Sequence, residues 1–206
     1  MKKNLFIALE GIDGSGKSTQ AAMLAAALEA AGHPIHCTEE PTRGPIGSMI
    51  RRVFRHEAEA DHRVIAGLFV ADRLEHLLHR DNGILRLLSE GITVITDRYY
   101  FSSYAYQGVH VSPDWVIAAN SLSAGLRRPD LNVFIDIDPD IAMQRIQATR
   151  RTVELYETRE NLSAVRDLYF RAFDLLKDEE RIFITNGNRP AGEIAADILQ
   201  AVLALA

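Results

Sequence analysis

The chain has 206 residues, 47% of them hydrophobic and 25% charged, the composition of one globular domain with a full core. Its formal net charge of −5 argues against a nucleic-acid or membrane-surface partner, which calls for a basic footprint, while leaving room for a small anion held by a few focused cations. The lone cysteine, Cys37, excludes an internal disulfide, and its place in an apolar run predicts a buried thiol in a reducing, cytoplasmic setting.

Met1, Lys2 and Lys3 before the apolar run 5–9 have the outline of a signal peptide, but the run stops at Glu10, short of an h-region. No stretch approaches the ~20 apolar residues of a membrane span. Residues 5–9 read as a buried strand, and 17–31 as a helix closed by Gly32. A second strand over 35–38 stops at Pro41. Helical periodicity follows at about 45–55 and 62–89, and Gly91 separates the latter from a strand over 92–96. Pro113 opens a helix, Pro129 precedes a strand over 131–135, and Asp138-Pro139 is a cap followed by the proline that suits a first helical turn. The polar stretch at about 147–157, carrying Arg150 and Arg151, reads as a mobile lid loop between two helices. A last strand at 182–185, Pro190 and an amphipathic helix complete the pattern. Five strands separated by helices predict an α/β class, a single domain over 1–206 built on a mainly parallel sheet with helices on both faces.

Gly11, Ile12, Asp13, Gly14, Ser15, Gly16, Lys17 and Ser18, followed by Thr19, fit G-x-x-x-x-G-K-[ST] between a predicted strand and a predicted helix. Glycines let successive N–H groups turn inward as a nest for phosphate oxygens, and the helix presents its positive end to the same anion. Lys17 is expected to reach the β- and γ-phosphates of ATP and Ser18 to ligate Mg²⁺. Asp97, ending the strand at 92–96, is expected at the carboxyl edge of the sheet, where it can hold the metal's hydration shell. A guanine-specific switch protein would carry D-x-x-G here and N/T-K-x-D later; Asp97 is instead followed by Arg98, Tyr99 and Tyr100, and no N/T-K-x-D occurs.

From Asp97-Arg98-Tyr99 through Phe101-Ser102-Ser103-Tyr104-Ala105-Tyr106-Gln107-Gly108, the sequence resembles the thymidylate (dTMP) kinases, P-loop nucleoside monophosphate kinases. Glu10-Gly11-Ile12-Asp13, Glu40-Pro41, Phe69-Val70-Ala71-Asp72-Arg73, Arg128-Pro129-Asp130-Leu131 and Tyr156-Glu157 extend the resemblance over nearly the whole chain. It implies a three-layer P-loop kinase fold with a five-stranded parallel sheet, conversion of dTMP to dTDP with Mg-ATP for dTTP synthesis, and a homodimer. It further implies that Asp13 contacts the acceptor sugar, that Phe69 stacks on thymine, and that Arg73 donates to a thymine carbonyl. Arg43 and Arg98 would grip the acceptor phosphate, Ser103 and Tyr156 would line the dTMP site, and Tyr106 would crowd the 2′ position. With Gly14 where some relatives carry a phosphate-loop arginine, the transition-state cation is expected from Arg150 or Arg151, with Arg145 as a third candidate. The chain departs from common relatives at Thr42-Arg43-Gly44, where they read Gly-Gly-Thr, and at Leu155, where they carry arginine.

Residue chemistry alone reads several positions more plainly. Phe69 and Arg73 share a helix face and could be core and solvated charge; Tyr99, Tyr100 and Trp115 are expected in the core; His76 and His79 are expected at solvated helix positions. The rival function is a deoxynucleoside kinase, whose 5′-hydroxyl acceptor needs a carboxylate base such as Glu39 or Glu40.

Overall fold

The computed structural model describes residues 4–149 and 154–205. In chain order the elements are β1 (Phe6–Glu10), α1 (Lys17–Ala30), β2 (Ile35–Glu39), α2 (Pro45–Phe54), α3 (His62–Leu78), α4 (Ile84–Ser89), β3 (Thr93–Asp97) and α5 (Tyr100–Tyr106). After a 3₁₀ turn at Gln107–Val109 come α6 (Pro113–Leu126), β4 (Leu131–Asp136), α7 (Pro139–Thr149), α8 (Arg159–Leu176), β5 (Ile182–Asn186) and α9 (Ala191–Leu203).

The five strands form one parallel sheet in the order β2-β3-β1-β4-β5. Strand period fixes its two faces. Phe6, Ala8, Val94 and Phe134 point into the larger core with residues of α5 and α8, and Ile7, Leu9, Ile95, Val133 and Ile135 pack with α1 and α9 on the other side. Helices therefore cover both faces, as the sequence predicts. Because β1 is central with β3 and β4 on either side, the turn after β1 opens at the carboxyl edge where the strand order reverses, the place where such sheets bind ligands.

Several expectations give way to tertiary context. The pattern at 62–89 is two helices, interrupted before Gly83, which caps α4; a β-carbon on Gly83 would lie 2.5 Å from the His79 carbonyl oxygen. α5 is a helix that periodicity does not announce, because every one of its residues is buried and it has no polar face to set a phase. Cys37 is exposed, since β2 is an edge strand with one hydrogen-bonded neighbour. Tyr99 and Tyr100 are core residues, whereas Trp115 is 46% exposed at the start of α6. His76 is buried, between Glu40 Oε1 at 3.1 Å and Thr38 Oγ1 at 2.7 Å. The expected lid begins inside α7, which runs to Thr149.

Candidate active site

The turn after β1 is built as a phosphate nest. Gly16 caps α1 at φ 95°, a left-handed conformation that glycine alone adopts without strain. Gly14, at φ 79°, lies so close to α7 that a β-carbon would stand 2.7 Å from the Ala142 carbonyl oxygen. An arginine at this position has no room, which accounts for the glycine. The Ser15 hydroxyl is buried and has no partner among the described residues. Lys17 is 6% exposed and donates from Nζ to the Ile12 carbonyl at 3.1 Å. Burial, and then the positive charge of Arg98, lower its pKa to about 8.

β3 delivers the second half. The Ser18 hydroxyl, in the first turn of α1, donates to Asp97 Oδ2 at 2.6 Å. The fold thus brings these two oxygen-bearing side chains into direct contact. No cluster of three or more His, Cys, Asp or Glu occurs among the described residues, so a cation here would draw the rest of its shell from water and phosphate, as Mg²⁺ does.

Arg98 follows with φ 76°, a strained backbone for a non-glycine residue. Its Nη1 donates to the Gly11 carbonyl at 3.2 Å and to Ser102 Oγ at 3.1 Å, and its Nη2 to Asp13 and, at 3.2 Å, to the Tyr106 hydroxyl. The guanidinium also lies over the Tyr106 ring, 4.7 Å from its centroid. Beneath it Glu10 is fully buried, accepting from Ser102 Oγ at 2.5 Å, Tyr169 Oη at 2.9 Å and the Tyr99 amide at 2.9 Å. Burial raises the Glu10 pKa against these bonds and the Arg98 charge.

These groups border one cavity of about 630 Å³. It collects Asp13 to Thr19 of the phosphate loop, Phe69, Asp97, Arg98, Tyr106 and Tyr156, so most of the residues singled out by sequence converge. Gly11 and Ile12 form the loop's floor. Three do not reach the cavity. Arg43 has an 88% exposed side chain paired with Glu39 and borders a neighbouring groove with Ser18 and Asp97. Arg73 is 1% exposed and commits all five N–H donors to protein: two to Glu40 Oε2 at 2.9 and 2.6 Å, one to Ser103 Oγ at 2.9 Å, one to Asn120 and one to the Tyr99 carbonyl at 3.1 Å. Ser103 is buried as one of those acceptors. A fully paired, buried arginine of this kind fixes the packing of α3 against its neighbours. Glu39 is paired with Arg43 and Arg51 and Glu40 with Arg73 and His76. Arg150 and Arg151 lie outside the described residues.

The structure adds residues that sequence reading passed over. Arg51 borders the cavity, donating to Glu39 Oε1 at 3.1 Å and to the Pro41 carbonyl. Its only signal in the sequence is a cation on α2 eight residues after Arg43. Gln107 borders it too, 2% exposed, with its amide oxygen buried and unpartnered among the described residues. Phe54 closes the aromatic wall, 5.9 Å from Phe69 and 5.2 Å from Tyr156 between ring centroids. Arg145 of α7, the third candidate that the sequence offers for the transition-state cation, lies along the phosphate loop, donating to the Gly14 carbonyl at 3.3 Å and the Gly187 carbonyl at 3.0 Å.

The family model described as thymidylate kinase matches residues 9–198. A probable thymidylate kinase of Pyrobaculum calidifontis is 40% identical over 196 residues, covering 95% of this chain and 94% of its own. One of Pyrococcus horikoshii is 36% identical over 206 residues, with 97% and 96% covered. The thymidylate kinase of Leptospira interrogans serogroup Icterohaemorrhagiae serovar copenhageni is 34% identical over 203 residues, with 98% and 95% covered. A phosphate nest, a hydroxyl–carboxylate pair at its mouth and an arginine beside an aromatic wall thus sit in a chain that belongs to the thymidylate kinase family.

Proposed function

We propose that the cleft transfers the γ-phosphoryl group of ATP to dTMP, giving dTDP for dTTP synthesis. The observation that carries the reading is the convergence of two cation sites on one cavity: Lys17 in the phosphate nest, and Arg98 beside the Phe54–Phe69–Tyr156 wall. The two are near enough for the Arg98 charge to depress the Lys17 pKa. A donor triphosphate fits the first and an acceptor monophosphate the second, while the aromatic wall suits a planar base. Ser18 and Asp97 would hold Mg²⁺, which when bound neutralises charge on the phosphate oxygens. Asp13, fixed by Arg98 and by the Tyr106 hydroxyl at 2.9 Å, would face the acceptor sugar, and Tyr106 would crowd its 2′ position.

Arg51 rather than Arg43 is the arginine that supplements Arg98 on the acceptor phosphate in this arrangement, because it borders the cavity. Arg73 and Ser103 would reach a thymine carbonyl only by giving up one of their mutual bonds, whereas the Gln107 amide oxygen, without a partner among the described residues, borders the cavity as an acceptor suited to the ring N3–H. A cytoplasmic homodimer belongs to the same proposal. α3 packs against α6, and together they expose Val64, Leu78, Trp115, Leu122 and Leu126, an apolar face suited to a second copy. Among the described residues no helix is long and apolar enough to cross a membrane.

A coupled assay comparing dTMP with thymidine tests the reaction. Thymidine is expected to turn over at least about a thousandfold more slowly, because the arginines would be left facing no phosphate and Glu39 and Glu40 are committed to cations. Equal turnover would point to a hydroxyl acceptor.

Arg150 and Arg151 are proposed to supply the transition-state cation. Such an arginine is worth about 10³–10⁵ in rate, against almost nothing for a solvated one. At least one of Arg150→Ala and Arg151→Ala is expected to lower kcat by about a hundredfold or more, with little change in dTMP affinity. Near-normal kcat in both variants and in the double variant would move the role to Arg145.

A further inference from the structure

Tyr156 stands in the cavity wall, 3% exposed, on the connection leading into α8. What holds it there is a cluster of two imidazoles. The His62 and His110 rings stack with centroids 4.0 Å apart and planes 10° off parallel. Tyr156 stacks on His110 at 5.0 Å and 18° and lies 5.9 Å and 23° from His62. The Tyr156 hydroxyl and His62 Nδ1 also share a hydrogen bond of 3.1 Å. The three rings come from the first residue of α3, the segment after the 3₁₀ turn, and the approach to α8, so the cluster ties together three elements that border the cavity. Tyr156 in turn packs edge-on against Phe54 at 5.2 Å, and Phe54 against Phe69 at 5.9 Å.

We propose that His62 and His110 are positioning residues for the acceptor nucleotide: their stack sets the orientation of Tyr156, and through it the width of the slot between Tyr156, Phe54 and Phe69 in which the base lies. The inference rests on the reading of this cavity as the dTMP site. Both histidines are exposed on their outer sides, so neither is needed to fill the core. An exposed pair of imidazoles costs little to replace unless the stack has a use.

The stack is also sensitive to charge. Two imidazolium rings 4.0 Å apart repel, so charge on both rings opposes the stack. Burial and the neighbouring His62 lower the His110 pKa, opposed by a side-chain hydrogen bond with Asn161 of α8, which favours the protonated ring. The other polar groups facing the pair are Asp61, which caps α3, and Arg63 in its first turn, paired with each other, and the Tyr156 phenol. Acid pH therefore loosens the stack and frees Tyr156.

The test is steady-state kinetics on His62→Ala, His110→Ala and His110→Phe, with Phe69→Ala as a marker of the site. Each alanine variant is expected to raise the KM for dTMP about fivefold to tenfold, with kcat reduced by less than about threefold and the KM for ATP little changed. His110→Phe, which keeps the stacking surface, should restore the wild-type value. Below about pH 6 the KM of the wild type should rise relative to that of His110→Phe; taking the ratio of the two removes the titration of dTMP itself. Unchanged KM in the histidine variants with a raised KM in Phe69→Ala would overturn the positioning role and leave the cavity's assignment standing. Unchanged KM in His62→Ala, His110→Ala and Phe69→Ala alike would overturn both. A KM raised equally by His110→Ala and His110→Phe, with no pH-dependent difference from wild type, would also overturn the stack.

Discussion

Lys17→Met is expected to abolish phosphoryl transfer and to make the unliganded protein more stable. The Lys17 ammonium is buried at 6% exposure, with the Ile12 carbonyl as its hydrogen-bond acceptor. Burial and Arg98 bring its pKa from 10.5 to about 8, against the pull of Asp97, Asp13 and Glu10. Between those two values the unfolded chain holds more of this proton than the folded one. A charged Lys17 therefore destabilises the fold at neutral pH, by about 3 kcal/mol, and this penalty fades as pH rises from about 8 toward 10.5. Methionine keeps the stem and removes the charge, so melting should move up by several degrees. Transfer should fall by more than about a thousandfold, because the ammonium is the fixed positive charge of the nest. The same titration predicts that Mg-ATP affinity of the wild type weakens by up to about tenfold per pH unit above pH 8, since the phosphates need the lysine protonated. Lys17→Met should lack that dependence. Transfer above roughly one hundredth of wild type, or a melting temperature well below it, would contradict this account of the site.

Much of this molecule can be read in order from the sequence, for identifiable reasons. The strands are short apolar runs between glycines and prolines, and each falls within a residue or so of its expected bounds. The phosphate loop is legible because its chemistry depends on backbone conformation, which glycine spacing encodes directly. Asp97 is legible only in company: an aspartate ending a strand is often a turn residue, and the phosphate loop elsewhere in the chain is what gives it a metal-holding reading. What the sequence hides is whatever depends on which side chains meet across the fold. Arg73 shares a helix face with Phe69, yet Glu40, Ser103, Asn120 and Tyr99 take all its donors; those partners lie 26 to 47 positions away in the chain. Arg51 and Gln107 face the cavity for reasons of helix phase and burial that composition cannot supply. α5 escapes notice because a helix buried on every side has no polar face. His62 and His110 look like scattered surface imidazoles until the fold stacks them.

Arg98→Ala is expected to lower kcat/KM for dTMP by about a thousandfold, chiefly through KM, since removing one member of a hydrogen-bonded charge cluster costs about 2–5 kcal/mol. Among the described residues Gly11, Ser102, Asp13 and Tyr106 occupy its four terminal donors, and Nε is the one N–H without a protein partner. A guanidinium fixed by four bonds, with a cation's charge and an open donor, is preorganised for a phosphate and need not reorient on binding. Arg98→Lys should not rescue it, because an ammonium cannot span the same acceptors or keep the planar fork. The backbone separates chemistry from folding at this position. Arg98 adopts φ 76°, which costs a residue with a β-carbon about 1–2 kcal/mol that glycine avoids. Arg98→Gly should therefore be as inactive as Arg98→Ala but more stable by about 1 kcal/mol in denaturant unfolding. The strained conformation persists in the wild type because it aims the side chain between Gly11 and Asp13, where a relaxed backbone would not carry it. If Arg98→Ala stays within tenfold of wild type in kcat/KM, or Arg98→Lys recovers it, the acceptor phosphate lies elsewhere in the cavity, with Arg51 the next cation to test.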